Sequence, residues 1–330
     1  MNKDISYSVA IRTLGTAGEK YEKLMNSIKS QNIQPEKIIV VLPYGYTVPQ
    51  YQLGSEKFVF CEKGMVRQRI EALKYIDSDY TLFCDDDVEF ENGFIEKLAE
   101  PIIDYGYSCS AGPLLSFFPP NTPKYWLSSI IGGACVMING RKSNYVRILK
   151  TGGWSYSYDI DLKKHLFYNT ESFAWTCFMA STDSSKKIHF SDELWCEKNG
   201  FAAFEDRVFS YKMSVNDFKC CIVSDAKYIH NDGKTSVASV KLEPIYAGAF
   251  NHYVFWHRFI YLLQKNSFSK LKSRVAINYY ICMSTLHSLI ELGFKKKTFE
   301  AHKALLQGFR DAKKYVKSSE YLNLNNVYCK

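Results

Sequence analysis

The chain has 330 residues, 46% of them hydrophobic and 23% charged, with a formal net charge of +8. That is enough to bury a large core, and it excludes a mini-protein, a collagenous chain and a disordered one. Nine prolines and eighteen glycines are too few for a long flexible linker, and no repeat with a period of roughly 20 to 50 residues signals a solenoid or propeller.

Met1 to Asp4 is polar and leads directly into an alternating apolar run, so no secretion signal is expected. Ser6 to Thr13 reads as a strand. Ala17 to Gln31 reads as a helix, because Tyr21, Leu24, Met25 and Ile28 fall three or four apart. Lys37 to Pro43 is a continuous apolar run, as expected of a strand buried on both faces. Lys57 to Cys61 gives a further strand, and Val66, Ile70, Leu73 and Ile76 place an apolar stripe on a helix that begins near Gly64. Tyr80 to Cys84 returns as a strand and Asn92 to Ile103 as a helix. This alternation predicts an α/β fold, with a mainly parallel sheet covered by helices on both faces and ligands at the carboxyl ends of its strands.

From about residue 107 the pattern changes to short β-like runs with prolines at 113, 119, 120 and 123. Asn139-Gly140 between two such runs favours a tight hairpin turn. Antiparallel strands and loops are therefore expected beside the first half. Glu205 to Val215 then reads as a helix, Lys219 to Ser224 as a strand, and Tyr246 onward as aromatic-rich helices. We set a soft boundary near residue 240, giving an α/β body over 1–240 and a basic, aromatic-rich helical region over 241–330.

Ten cysteines, at 61, 84, 109, 135, 177, 196, 220, 221, 282 and 329, form no Cys-x-x-Cys pair, and several lie in apolar runs. They read as reduced core thiols in a cytoplasmic protein. Val275 to Phe294 is apolar but contains Asn278, His287 and Glu291, which makes it a poor membrane-spanning helix.

Asp85, Asp86 and Asp87 follow directly on the apolar strand. Three adjacent carboxylates repel one another, and a divalent cation such as Mg²⁺ or Mn²⁺ is the usual relief. Side chains alternate along extended chain, so Asp85 and Asp87 can face one way while Asp86 turns aside. An Asp-x-Asp pair can hold a metal against a diphosphate. A solvated acidic loop before a helix is the plain alternative.

With its surroundings the motif acquires a likeness. Cys61 to Phe94 contains Gly64, Arg67, the turn Ser78-Asp79-Tyr80-Thr81, and Asp85 with Asp87, in that order and spacing. The stretch resembles the central motif of family 2 glycosyltransferases of the GT-A fold, and the likeness runs more weakly from Ser6 to about Asn231. Gly200 to Asp206 resembles the Glu-Asp segment that this family places near the acceptor, which implies Asp206 as general base with Glu205 beside it. The resemblance implies an inverting, metal-dependent transfer of a sugar from a nucleotide-diphosphate donor to a glycan or lipid-linked acceptor. It implies Asp85 and Asp87 as metal ligands, with His230 as a further ligand. Asp85 and Asp86, together with Arg12 and Thr13 at the end of the first strand, are expected around the donor.

Among Lys63, Arg67 and Arg69 at the start of the helix, Arg67 matches the family's arginine and is expected at the donor phosphates. Trp195 is a candidate to stack a sugar ring on the acceptor side, or else a core residue. The family's aspartate after the second strand is missing from Leu42-Pro43-Tyr44-Gly45, and Glu62 is the substitute considered for contact with the nucleotide base. Two other readings remain open on the residues: a metal-dependent nucleotidyl or phosphoryl transferase, and a non-catalytic nucleotide-sugar or glycan-binding module.

The charge is unevenly distributed. Residues 241–330 hold fifteen Lys and Arg against five Asp and Glu, whereas the first 240 hold 27 against 29. Tyr246 to Tyr261 interleaves seven aromatic residues with His252, His257 and Arg258. Such helices suit a cap with a solvated basic face or a peripheral contact with an anionic membrane, and nucleic acid is not expected.

Overall fold

A computed structural model describes residues 5–132, 135–137, 144–231 and 241–329. The first half alternates as expected: β1 (Tyr7–Arg12), α1 (Glu19–Lys29), β2 (Lys37–Pro43), β3 (Glu56–Cys61), α2 (Met65–Leu73), β4 (Tyr80–Asp85), β5 (Val88–Phe90) and α3 (Phe94–Tyr105). Then come β6 (Cys109–Ala111), α4 (Pro123–Gly132), β7 (Cys135–Met137), β8 (Val146–Ile148), β9 (Trp154–Tyr156), β10 (Phe167–Thr170), β11 (Cys177–Ser181) and α5 (Thr182–Lys187). A 3₁₀ segment (Phe190–Glu197), α6 (Glu205–Val215), β12 (Cys220–Val223) and β13 (Tyr228–His230) complete the body. The C-terminal region is helical: α7 (Leu242–Phe255), a π turn (Trp256–Tyr261), α8 (Ser267–Gly293), α9 (Phe299–Tyr315) and α10 (Ser319–Leu322). The Asn139-Gly140 turn and the boundary near residue 240 lie outside the described residues.

Eight strands form one sheet in the order β10-β12-β6-β11-β4-β1-β2-β3. β3, β2, β1 and β4 are mutually parallel, while β11 runs antiparallel between β4 and β6. The chain moves from β1 to β2 and β3 on one side and then returns to place β4 on the other. The order therefore reverses beside β1, which makes the carboxyl ends of β1 and β4 the place where such sheets bind ligands.

The apolar runs identified in the sequence fill the sheet. Every residue of β2 after Lys37 is buried. One face packs on α1 and α3 through Tyr21, Leu24, Met25, Ile95 and Leu98. The other face packs on α2 and α6 and is continuous with Phe250, Phe255, Phe259 and Tyr315 of the C-terminal helices. Seven cysteines, among them Cys84 and Cys220, are buried thiols in these layers. No helix among the described residues is long and apolar enough to cross a membrane.

Candidate active site

Parallel pairing of β1 with β4 sets Arg12 opposite Asp85 in register, at the ends of both strands. The guanidinium grips the carboxylate with two bonds, Nε to Oδ1 at 2.8 Å and Nη2 to Oδ2 at 2.9 Å. Arg69, reaching from α2, donates to the same Asp85 Oδ1 and to the Trp175 carbonyl, both at 2.7 Å, and lies flat on the Trp175 ring at 4.0 Å. Burial pushes the Asp85 carboxyl up, but Arg12 and then Arg69 more than offset it, so its pKa falls below the usual carboxylate value. Both Asp85 oxygens thus accept from arginines, so Asp85, expected as a metal ligand, is placed between two cations.

Asp86 turns the other way and accepts from Thr13 Oγ1 at 2.5 Å, while the same hydroxyl accepts from the Gly15 N–H at 2.8 Å. Burial raises Asp86 to about 6, with the Thr13 bond opposing and Asp85 adding to the rise. Asp87 faces His230, whose Nε2 lies 3.3 Å from Oδ1. The pairing of β5 with β13 brings these two together, because His230 sits opposite Val88 in that ribbon.

Glu205 and Asp206 open α6 and are half-buried. Phe204 before them has φ 67, a left-handed conformation that a bulky residue adopts only under constraint. Its ring lies 4.4 Å from the Arg207 guanidinium, which is also 4.6 Å from Trp154 and 4.3 Å from Phe255 and donates to the Gly152 carbonyl. Fully buried Arg207 therefore pins both the start of α6 and the 151–153 turn. Glu205 is raised to about 8, by burial first and then by Asp206. Asp206 is raised less, because the Arg207 backbone N–H donates to its Oδ1 at 2.7 Å and the Arg207 charge opposes its burial.

The two acidic segments, about 120 residues apart in sequence, both act electrostatically on the arginines. Arg69 is drawn down to about 10 by burial and by Arg12, while Asp85, Glu205 and Asp206 hold it up. Arg69 Nε and Nη1 are buried and have no hydrogen-bond partner among the described residues.

The remaining expected residues are placed differently. Arg67 pairs with Glu197 at 2.7 Å rather than with Asp85. Arg69, two positions on, is the arginine that reaches Asp85. The signal was present: Arg69 lies three residues after Val66 and four before Leu73, within the apolar stripe, and Arg67 does not. Glu62 is exposed. Trp195 is 3% exposed and donates its indole N–H to Glu193 Oε2 at 2.7 Å, so it is a core residue and not a sugar-stacking surface.

Sequence reasoning missed Glu193 altogether. It is fully buried and paired with Lys212 at 2.8 Å and with Arg258 at 2.8 and 2.9 Å. These bonds tie the 3₁₀ segment to α6 and the π turn.

No cluster of three or more metal-ligating side chains occurs among the described residues. Asp87 and His230 place a hard carboxylate oxygen and an imidazole nitrogen, both of types that can ligate a divalent ion, 3.3 Å apart. Two such donors fit an ion whose other ligands come from a diphosphate and water.

Residues 57–188 match the family model described as Glycosyl transferase family 2. The resemblance to family 2 glycosyltransferases is shown by that match. It covers the helix α2 and the acidic segment 85–87, while Glu205, Asp206 and His230 lie beyond it. A curated relative, the uncharacterized glycosyltransferase YwdF of Bacillus subtilis (strain 168), is 33% identical over 112 residues. That alignment covers 32% of this chain and 42% of the relative, so the chain spans less than half of YwdF.

Among solved structures, GalNAc-T7 with UDP, GalNAc and Mn²⁺ superposes with a TM-score of 0.52 at 12% identity, over 84% of this chain and 55% of that one. That likeness gives a GT-A type fold. S. aureus TarS 1–349 in complex with UDP-GlcNAc aligns over 94% of this chain and 91% of its own, with a TM-score of 0.44 and 12% identity.

Proposed function

We propose that the chain transfers a sugar, with inversion, from a nucleotide-diphosphate donor to a hydroxyl of a glycan or lipid-linked glycan. The observation that carries this reading is the pair Arg12 and Arg69, held by Asp85 at the carboxyl ends of β1 and β4, the switch point of the sheet, where both also feel the charge of Glu205. The match of residues 57–188 to the glycosyltransferase family model supports the reaction class.

Arg12 and Arg69, fixed by Asp85, present cationic donors to the donor's anionic groups, so their geometry is set before substrate arrives. Thr13 and Asp86 line the neighbouring wall. Asp87 and His230 would hold Mn²⁺ or Mg²⁺, and such an ion supplies charge stabilisation to a departing diphosphate. Burial raises both carboxyls of the pair, Glu205 to about 8, and Asp206, which accepts the Arg207 N–H, is the member we assign as base. Asp206 takes the proton of the acceptor hydroxyl as that oxygen bonds to the anomeric carbon and the bond from that carbon to the diphosphate oxygen breaks.

Asp206→Asn tests the assignment. Donor binding should stay close to wild type while turnover falls by about 10²-fold or more. Turnover like that of the wild type would reject Asp206 as the base.

A further inference from the structure

The 27-residue helix α8 is amphipathic in the reverse of the usual sense. Its buried positions, Ser273, Ile277 and Ser288, lie on the side where Trp256 bonds Ser273 and Tyr280 stacks on His252. The opposite side carries Phe268, Leu271, Val275, Tyr279, Leu286 and Leu289, all exposed, spaced so that they fall on one stripe roughly 100° wide. The stripe runs the length of the helix, about 40 Å, and ends at Phe294, which is 74% exposed. A globular protein does not normally turn a continuous apolar stripe to water, and one of this size marks a contact surface.

Charge identifies the occupant. Residues 265–297 contain seven Lys and Arg against the single Glu291. Exposed Lys272 and Arg274 lie near one end of α8, and exposed Lys295 and Lys296 follow the other. Lys272 also lies over the Phe268 ring at 4.3 Å. Both ends of the helix are basic, so pairing two copies through this face would oppose like charges in either orientation. A surface that is both apolar and anionic satisfies the stripe and its basic ends together.

We propose that the outward face of α8 docks the protein on an anionic phospholipid surface. The helix lies in the plane of the interface, with Leu271, Val275, Leu286 and Leu289 entering the acyl boundary and the lysines meeting lipid phosphates. α4 packs beside α8 and exposes Leu127. This proposal stands independently of the sugar-transfer reading.

The test is co-sedimentation of the full chain with vesicles of phosphatidylcholine alone, and with about one third phosphatidylglycerol added. The wild type should sediment with the anionic vesicles and remain behind with the neutral ones. Combined Leu271→Ser, Val275→Ser and Leu286→Ser should weaken the anionic partition by about tenfold or more. A second variant, Lys272→Glu with Lys295→Glu and Lys296→Glu, alters only exposed charges and should bring partition down to the neutral-vesicle level. Wild-type protein that stays in the supernatant at low salt overturns the proposal, as does undiminished partition in either variant. A wild-type dimer that the serine variant converts to monomer would also overturn it, by assigning the face to a second copy.

Discussion

Glu205 and Asp206 stand side by side at the first turn of α6, where burial penalises ionising both, and their surroundings separate them. Asp206 accepts a backbone N–H and feels Arg207, whereas Glu205 has less to offset its burial and rises to about 8. An acid whose pKa is higher folded than unfolded contributes stability below its unfolded value, and that stability is lost as pH rises through the folded value. The wild type should therefore lose folding stability from Glu205 as pH climbs from about 4.5 through about 8. Glu205→Gln, which mimics the protonated form, should remove that part of the loss. Urea midpoints at about pH 6 and about pH 9 measure it. An equal decline in both proteins would contradict the raised value. The acidic pair was legible in the sequence through the resemblance of Gly200 to Asp206 to the family's Glu-Asp segment. Arg207 was not, because nothing in the sequence says that three rings from distant segments will enclose a guanidinium.

Helix α2 shows what an element needs from its partners. No side chain of its own caps its start. Instead Glu197, arriving from the 3₁₀ segment, accepts the Val66 N–H at 2.9 Å and pairs with Arg67. Gly64 sits at an extended φ of 170° that any residue adopts, so its side chain is excluded by proximity: a Cβ there would lie 2.3 Å from Glu197 Oε1. Gly64→Ala should push that carboxylate off the helix and cost roughly 1–3 kcal/mol. In a Glu197→Ala background most of the cost should disappear, which a double-mutant cycle by chemical denaturation reads directly. Additive effects would show that Gly64 serves some other purpose. Strands β1, β2 and β4 and helices α1 and α6 were legible because each carries a full period of apolar residues. The three-residue β5 and β13 were not, since ribbons that short leave no periodic signal, yet they bring His230 to Asp87. The 3₁₀ segment was missed for a related reason: Glu193 breaks its apolar pattern, and the cations that make a buried carboxylate tolerable there, Lys212 and Arg258, are distant in sequence.

For the molecule as a whole, alternation of apolar strands with amphipathic helices was enough to anticipate a mainly parallel α/β sheet followed by helices, and the GT-A type architecture agrees. The way the basic C-terminal quarter meets the body was not legible. Its aromatic residues largely face inward, Phe250, Phe255 and Phe259 joining the core under the sheet, and the outward apolar face lies later, on α8. The central claim of the proposed function is that the carboxyl ends of β1 and β4 receive a nucleoside diphosphate, with Asp87 and His230 as the protein's ligands to a divalent ion. The direct measurement is thermal unfolding of wild type and Asp87→Asn with a panel of nucleoside diphosphates, with and without Mn²⁺. One base should stabilise the wild type by roughly 4 °C or more near saturation, only when Mn²⁺ is present, and Asp87→Asn should lose that gain. A wild-type protein indifferent to every nucleoside diphosphate in either condition, or an Asp87→Asn variant that responds like the wild type, would contradict the account.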